Sequence, residues 1–179
     1  MRIISGKHGG RKIIPPAKMP YTRPTTDIAK EGLFNILENN LTISSLKTLD
    51  LFGGTGCISY ELASRGAPDL TIVEKDVTMD AFINTTLQDL GFTNIKAVKM
   101  DVFKFIENCE DSFDLIFAGP PYALTTINEL PGIIFKNKLL KDNGWFILEH
   151  TPANDYKSFP NYKTQRNYGT TIFSIFVNN

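Results

Sequence analysis

Two stretches of this sequence carry residue types that chemistry uses. In the first, Asp50-Leu51-Phe52-Gly53-Gly54-Thr55-Gly56-Cys57, an apolar run ends on an acid and three glycines. Glycines there let main chain approach a ligand closely, and the N-terminus of a following helix favours a negative group. The pattern alone also suits any tight strand-to-helix turn. It departs from the dinucleotide fingerprint G-x-G-x-x-G, because Ser59 stands at the third glycine's place. Glu74 ends the next apolar run, 18 residues after Gly56, where a carboxylate can bond both hydroxyls of a ribose. Asp101 ends a third run and either accepts from an adenine amino group or caps the helix behind it. The glycine turn and the two run-end acids together imply an adenosine cofactor. The second stretch, FDLIFAGPPYAL, closes an apolar run on Gly119-Pro120-Pro121-Tyr122. A strand that stops on two prolines and an aromatic reads as a functional lip.

These residues need elements to bring them together. From residue 47 onward apolar runs alternate with helical patterns. KTLDLF, LTIVE, IKAVKM, FDLIFA and GWFILEH read as strands. CISYELASR, VTMDAFINTTLQDLG (closed by Gly91) and DVFKFIEN read as helices. TINELPGIIFKN reads as helical in part, interrupted at Pro131. The tail YKTQRNYGTTIFSIF holds two extended runs joined near Tyr168-Gly169, an antiparallel pair. Residues 25–39 read as a helix with Ala29, Leu33, Ile36 and Leu37 on one face. Before it, RIIS and RKII read as short extended pieces around GKHGG, followed by the proline-rich PPAKMPYTRP. Alternating strands and helices imply right-handed βαβ units and a parallel sheet covered on both faces. The expected class is therefore α/β: a doubly wound, mostly parallel, seven-stranded sheet with an antiparallel last strand and a short N-terminal extension. Ligands in such sheets sit beyond the carboxyl ends of the strands. The glycine turn, Glu74, Asp101 and the 119–122 lip all fall at such ends.

The 179 residues fit one domain, with a basic β-extension over 1–24 and a Rossmann-like core over 25–179. The 42% hydrophobic and 21% charged content suits a soluble globular protein, and no apolar run reaches the roughly 18 residues of a membrane span. The start, MRIISGKHGGRK, lacks the apolar segment of a secretory signal, which points to the cytoplasm. Two cysteines outside any CxxC and two histidines argue against a metal, and the thiols read as reduced. Net charge is zero but unevenly spread. Residues 1–30 hold seven Lys or Arg against Asp27, a net +6, so residues 31–179 sum to −6. A basic arm on an acidic body suits a polyanionic partner met at one end. A solvated terminus with incidental lysines is the plainer reading.

DLFGGTG followed by VEKD, MDVF and GPPY resembles the class I methyltransferases that use S-adenosylmethionine. Beyond that core, MRIISGKHGGRKI, TRPTTDIAKEGLFNIL, LDLFGGTGCISYELASRGA, FDLIFAGPPY and YGTTIFSIF are similar, in order, to the bacterial 16S rRNA guanine-N2 methyltransferases of the RsmD type. The resemblance covers essentially the whole chain. It implies methyl transfer to the exocyclic N2 of a guanine in 16S rRNA, on a 30S particle or assembly intermediate, by a monomer without metal. It makes Asp50, Phe52, Gly53, Gly54, Gly56, Glu74, Lys75, Asp101 and Val102 the S-adenosylmethionine residues. Gly119, Pro120, Pro121 and Tyr122 become the catalytic lip, and Arg2, Lys7, Arg11, Lys12 and Arg23 the RNA contacts. The pattern RPTTD is expected to order an arm next to the cofactor site.

At one position the chain departs from that family. Amino-group methyltransferases place Asp or Asn before the two prolines; this chain has Gly119 and so no side-chain acceptor there. Losing one preorganised polar partner at a reacting centre costs about 3 kcal/mol. Three outcomes follow: another group such as Asn35 or Glu149 substitutes, the Pro120 carbonyl works alone, or the protein binds rRNA as a silent assembly factor. A different amine, adenine N6 or a glutamine, is a further alternative. Among the other candidates, His8 reads as a loop histidine, His150 as structural and Phe103 as adenine-stacking or core. Tyr156, Tyr162 and Tyr168 read as RNA-stacking or sheet aromatics.

Overall fold

A computed structural model of the chain describes residues 1–19 and 25–179. Seven strands form one sheet in the order β3-β2-β1-β4-β5-β7-β6. They are β1 (Lys47–Leu51), β2 (Asp69–Glu74), β3 (Ile95–Lys99), β4 (Phe113–Ala118), β5 (Leu140–His150), β6 (Tyr162–Tyr168) and β7 (Thr171–Val177). The first five pair in parallel, while β7 runs antiparallel to both β5 and β6. The order reverses between β1 and β4, the switch point at which doubly wound sheets open a crevice.

Among the described residues five α-helices cover the two faces: α1 (Asp27–Asn40), α2 (Cys57–Ser64), α3 (Val77–Leu90), α4 (Val102–Asn108) and α5 (Leu130–Lys136). Because strand side chains alternate, Leu115, Phe117 and Ile147 meet Leu33, Phe34, Ile58, Leu62 and Ile83 of the first three helices. Leu49, Leu51, Ile116 and Leu148 meet Val102, Ile106, Leu130 and Ile134 on the other face. Each such fully buried aliphatic or aromatic side chain contributes about 1.5–3 kcal/mol.

The helix signals have visible causes. Thr26 accepts from the amide of Ala29, Asp76 from that of Met79, and Asp101 from those of Phe103 and Lys104, each capping a helix. Gly91 ends α3 in the left-handed conformation. Pro131 does not interrupt its helix. It lies in the first turn of α5, where its missing N–H has no helical partner to lose. Strand β5 is longer than GWFILEH because Leu140–Asn143 continue it across a register shift opposite Phe113 and Leu115. Asn143 there takes a left-handed backbone.

The N-terminal pieces form a narrow hairpin with a single ladder bridge, Arg2 to Lys12, rather than two strands. Ile3 and Ile13 are buried in the same apolar cluster as α1 and α2. The carboxylate of Glu61, on α2 and fully buried, accepts from the amides of Ile4 (2.8 Å) and Ser5 (3.0 Å) and from Arg65 Nε (2.8 Å). Lys30 Nζ lies 3.5 Å from the same carboxylate and donates to the carbonyl of Arg2. Lys30, counted with the basic arm by sequence, is thus an interior charge.

Candidate active site

The carboxyl ends of β1, β2, β3 and β4 open into one cleft of about 760 Å³, within the usual range for a small-molecule site. Asp50, Phe52, Gly53, Gly54, Glu74, Lys75, Asp101 and Val102 line it, as do Gly119, Pro120, Pro121 and Tyr122. Residues spread over some seventy positions of sequence therefore share a single wall.

The glycine turn is built by the protein itself. Glu74 Oε2 accepts from the amide of Gly54 and Oε1 from that of Asp76, both at 2.8 Å. The carboxylate thereby ties the turn after β1 to the start of α3. Phe52 holds a left-handed backbone (φ 61°), rare for an aromatic, and its ring meets Phe103 edge-on at 6.4 Å. Gly56 does not line the cleft. It caps α2 with φ 78°, and a Cβ there would fall 2.4 Å from the Tyr60 ring, so its part is conformational. Asp101 spends Oδ1 on its helix cap, while Oδ2 sits 3.8 Å from the exposed ammonium of Lys75. A cap and a ligand acceptor are compatible roles for its two oxygens.

Asp50 is a strongly perturbed wall carboxylate. Burial pushes it up to about 7; hydrogen bonding from Ser59 opposes this, and the charges of Glu74 and Glu149 add to it. Ser59 Oγ donates to Asp50 Oδ2 at 2.8 Å, the physical reason a serine stands where a dinucleotide fingerprint has its third glycine. Cys57 beside it is buried, and its thiol is pushed up to about 11 by that burial. A protonated, buried thiol is a poor nucleophile.

The lip begins at Gly119, whose amide still donates to the carbonyl of Leu51 at 3.3 Å. Pro120 is buried, Pro121 half-buried, and Tyr122 is 46% exposed at the mouth. The amide of Leu124 donates to the Pro121 carbonyl, closing a turn that presents Tyr122. On the adjacent strand Glu149 also lines the cleft. Its Oε2 accepts from Thr25 Oγ1 at 2.7 Å and lies 3.7 Å from the point a Cβ on Gly119 would occupy. Asn35 instead lies on the exposed side of α1 and is not part of the wall.

The arm divides from this group. Lys7 N donates to the Ser64 carbonyl and His8 N to Ser64 Oγ, which fixes the hairpin turn at the C-terminal end of α2. Eight residues of helix, about 12 Å, separate that end from the glycine turn. Lys7, Arg11 and Lys12 are exposed and make no ion pair among the described residues, whereas Arg2 pairs with Asp27 at 3.1 Å. Arg23 and Pro24 of RPTTD lie outside the described residues; Thr25 is inside them and lines the cleft. His8 packs on Phe92, and burial and the neighbouring Lys7 and Arg11 lower its pKa. His150 is buried between the Thr151 carbonyl and Ser174 Oγ, both at 2.8 Å. Tyr156 is buried and bonded to Asn128, Tyr162 meets Phe176, and Tyr168 packs on Phe173. Among the described residues no cluster of acids, His and Cys is placed to hold a metal, and no helix is long and apolar enough to cross a membrane.

Sequence reasoning missed Met19, Phe117 and Val77 as wall residues, while Thr25 falls in the segment expected beside the cofactor. Phe117 was within reach, since it lies two residues before Gly119 on one strand and so on the same face.

The family described as conserved hypothetical protein 95 matches residues 1–177 of this chain. The ribosomal RNA small subunit methyltransferase D of Escherichia coli is 32% identical over 83% of the chain and 71% of its own length. The chain belongs to the RsmD-type class I methyltransferase family. Its relative of the same name in Buchnera aphidicola subsp. Baizongia pistaciae is 28% identical over 99% of this chain and 92% of that protein. The family fold recurs in a putative methyltransferase from Escherichia coli, with a TM-score of 0.86, 25% identity and coverage of 100% and 98%. A putative methylase from Haemophilus influenzae gives 0.81 at 24% identity, covering 99% and 97%.

Proposed function

We propose that this protein methylates the exocyclic N2 of a guanine in 16S rRNA, within a 30S assembly particle and as a monomer, using S-adenosylmethionine. The observation that carries the reading is that Glu74 and Tyr122 line one cleft, so an acid suited to a ribose faces the same space as an aromatic suited to a base. Relatives named for small-subunit rRNA methylation supply the substrate class.

The donor set fits the cofactor. Each Glu74 oxygen uses one lone pair on a backbone amide and keeps capacity for a ribose hydroxyl. Asp101 would accept from the adenine amino group, and Phe52, Val102 and Phe103, which line the same cleft, would offer the ring apolar contact. Asp50 would meet the cationic amino-acid end. The cofactor supplies a methyl group activated by a sulfonium. This chain's own work is to orient and desolvate. Tyr122 stacks on the guanine, Pro120 and Pro121 fix the ring's height, and the Pro120 carbonyl accepts one amine hydrogen, drawing the nitrogen toward sp³ geometry. Exposed Lys7, Arg11 and Lys12, remote from the cleft, bind phosphates of the same RNA.

The test is nucleoside mass spectrometry of 16S rRNA from cells with and without the gene. N2-methylguanosine falls by one residue per rRNA when the gene is removed; an unchanged level refutes the reading. Gly119 favours one rival, a silent rRNA-binding factor, and that rival predicts the unchanged level together with retained RNA affinity.

A further inference from the structure

We infer that Glu149 supplies the amine acceptor that Gly119 lacks, reaching the reacting nitrogen from the neighbouring strand; this rests on the amino-methyltransferase reading above. Strands β4 and β5 are parallel and in register from Leu115 opposite Trp145 to Ala118 opposite Leu148. The next pair is Gly119 and Glu149. Alternation puts both on the face that carries Phe117 and Phe173, toward α1 and the cleft. An aspartate at 119 would extend its carboxyl from a Cβ standing 3.7 Å from Glu149 Oε2, so the two side chains address the same space. The glutamate is longer by one methylene, and its acceptor arrives there without a side chain on the lip.

The carboxylate is also held in place. It is 7% exposed, and Thr25 Oγ1 donates to Oε2 at 2.7 Å across 124 positions of sequence. A carboxylate offers about four lone-pair sites over its two oxygens, more than the Thr25 bond uses. With the Pro120 carbonyl it makes two acceptors for the two amine hydrogens. In the transfer step the nitrogen lone pair forms the new N–C bond. The methyl–sulfur bond breaks with its electron pair left on sulfur, and the surplus nitrogen proton passes along the hydrogen bond to the Glu149 carboxylate and then to water.

The test uses the full-length protein, small-subunit particles lacking the methyl group and a labelled methylsulfonium donor. Calorimetry with S-adenosylhomocysteine reads the cofactor side separately. Glu149→Ala lowers kcat about a hundredfold or more, as loss of one preorganised partner does, with affinity for S-adenosylhomocysteine unchanged. Glu149→Gln keeps an acceptor oxygen and loses less. Gly119→Asp alone lowers the rate, because a second carboxylate enters beside Glu149 and its Cβ presses on the Phe117 ring at 3.1 Å. Combined with Glu149→Ala, the same Gly119→Asp change restores activity by about tenfold or more over Glu149→Ala, since the acceptor has been moved back to the lip. That rescue is an outcome a purely structural glutamate does not give. A Glu149→Ala protein within a few-fold of wild type, a rise in rate with Gly119→Asp alone, or a double variant no better than Glu149→Ala overturns the inference while the parent reading stands. A wild-type protein that transfers no methyl to the particles removes both.

Discussion

Replacing Glu61 by Gln should detach the N-terminal hairpin at a cost far above that of a surface charge. The carboxylate accepts from three N–H groups at 2.8–3.0 Å and faces Lys30 Nζ at 3.5 Å, and the Glu61, Lys30 and Arg65 side chains are 0%, 2% and 6% exposed. An amide has one acceptor oxygen. Its NH₂ must take the place of Oε2, facing Ile4 N and Lys30 Nζ, or of Oε1, facing Ser5 N and Arg65 Nε, and donor then meets donor. Breaking a buried ion pair by removing one partner costs about 3–5 kcal/mol. Glu38 offers the internal control. It pairs with the same Arg65 at 2.8 Å but is 49% exposed, so Glu38→Gln costs less than about 1 kcal/mol. Urea denaturation gives the two stabilities, and amide hydrogen exchange at Ile4 and Ser5 locates the damage. Equal losses in the two variants, or protected Ile4 and Ser5 amides in Glu61→Gln, would refute the account of the hairpin as tethered by this carboxylate.

Other expectations concern the cleft and the arm. Asp50 binds a proton more tightly folded, up to about 7, than at its ordinary 3.8, so the stability it supplies is complete below about pH 4 and is lost as pH rises to about 7. Asp50→Asn removes that slope in urea midpoints measured across this range, and parallel slopes would contradict the assignment. Gly53→Ala places a Cβ 2.5 Å from Ile72 Cγ1 in the core and costs about 1–3 kcal/mol as overpacking. A melting temperature equal to wild type would show that the turn is looser than described. Changing Lys7, Arg11 and Lys12 together to Ala lowers the salt slope of RNA binding by about two to three, near one per lost phosphate contact. An unchanged slope would take the arm off the RNA.

The parallel strands, their helices and the lip could be read because each rests on local pattern: alternation, Gly91 after a helix, prolines after a strand. The cleft could be read because strand-end residues of a parallel sheet converge by topology, which is why Glu74 and Tyr122 could be paired across 48 positions of sequence. What escaped depends on lateral neighbours. The sequence offers Asn35 and Glu149 alike as substitute acceptors; only the β4–β5 register sets Glu149 beside Gly119, and one sequence holds nothing that fixes a register between strands whose core residues are thirty positions apart. Lys30 looked like one more arm cation; only the buried Glu61 makes it an interior charge. The hairpin's position at the far end of α2 follows from Ser64, an ordinary helix residue whose carbonyl and hydroxyl happen to meet Lys7 and His8. Pro131 misled because a proline in a helical pattern reads equally as a stop or as a first turn.

The two bonds from Glu74 to Gly54 and Asp76 set how a ligand meets this protein. The turn's shape is fixed by a side chain that is already in place, so docking an adenosine moiety demands rearranged hydroxyl partners and displaced solvent, not a refolded main chain. Association should then be a single fast phase in a rapid-mixing trace, with the discrimination between loaded and spent donor expressed in how quickly each departs.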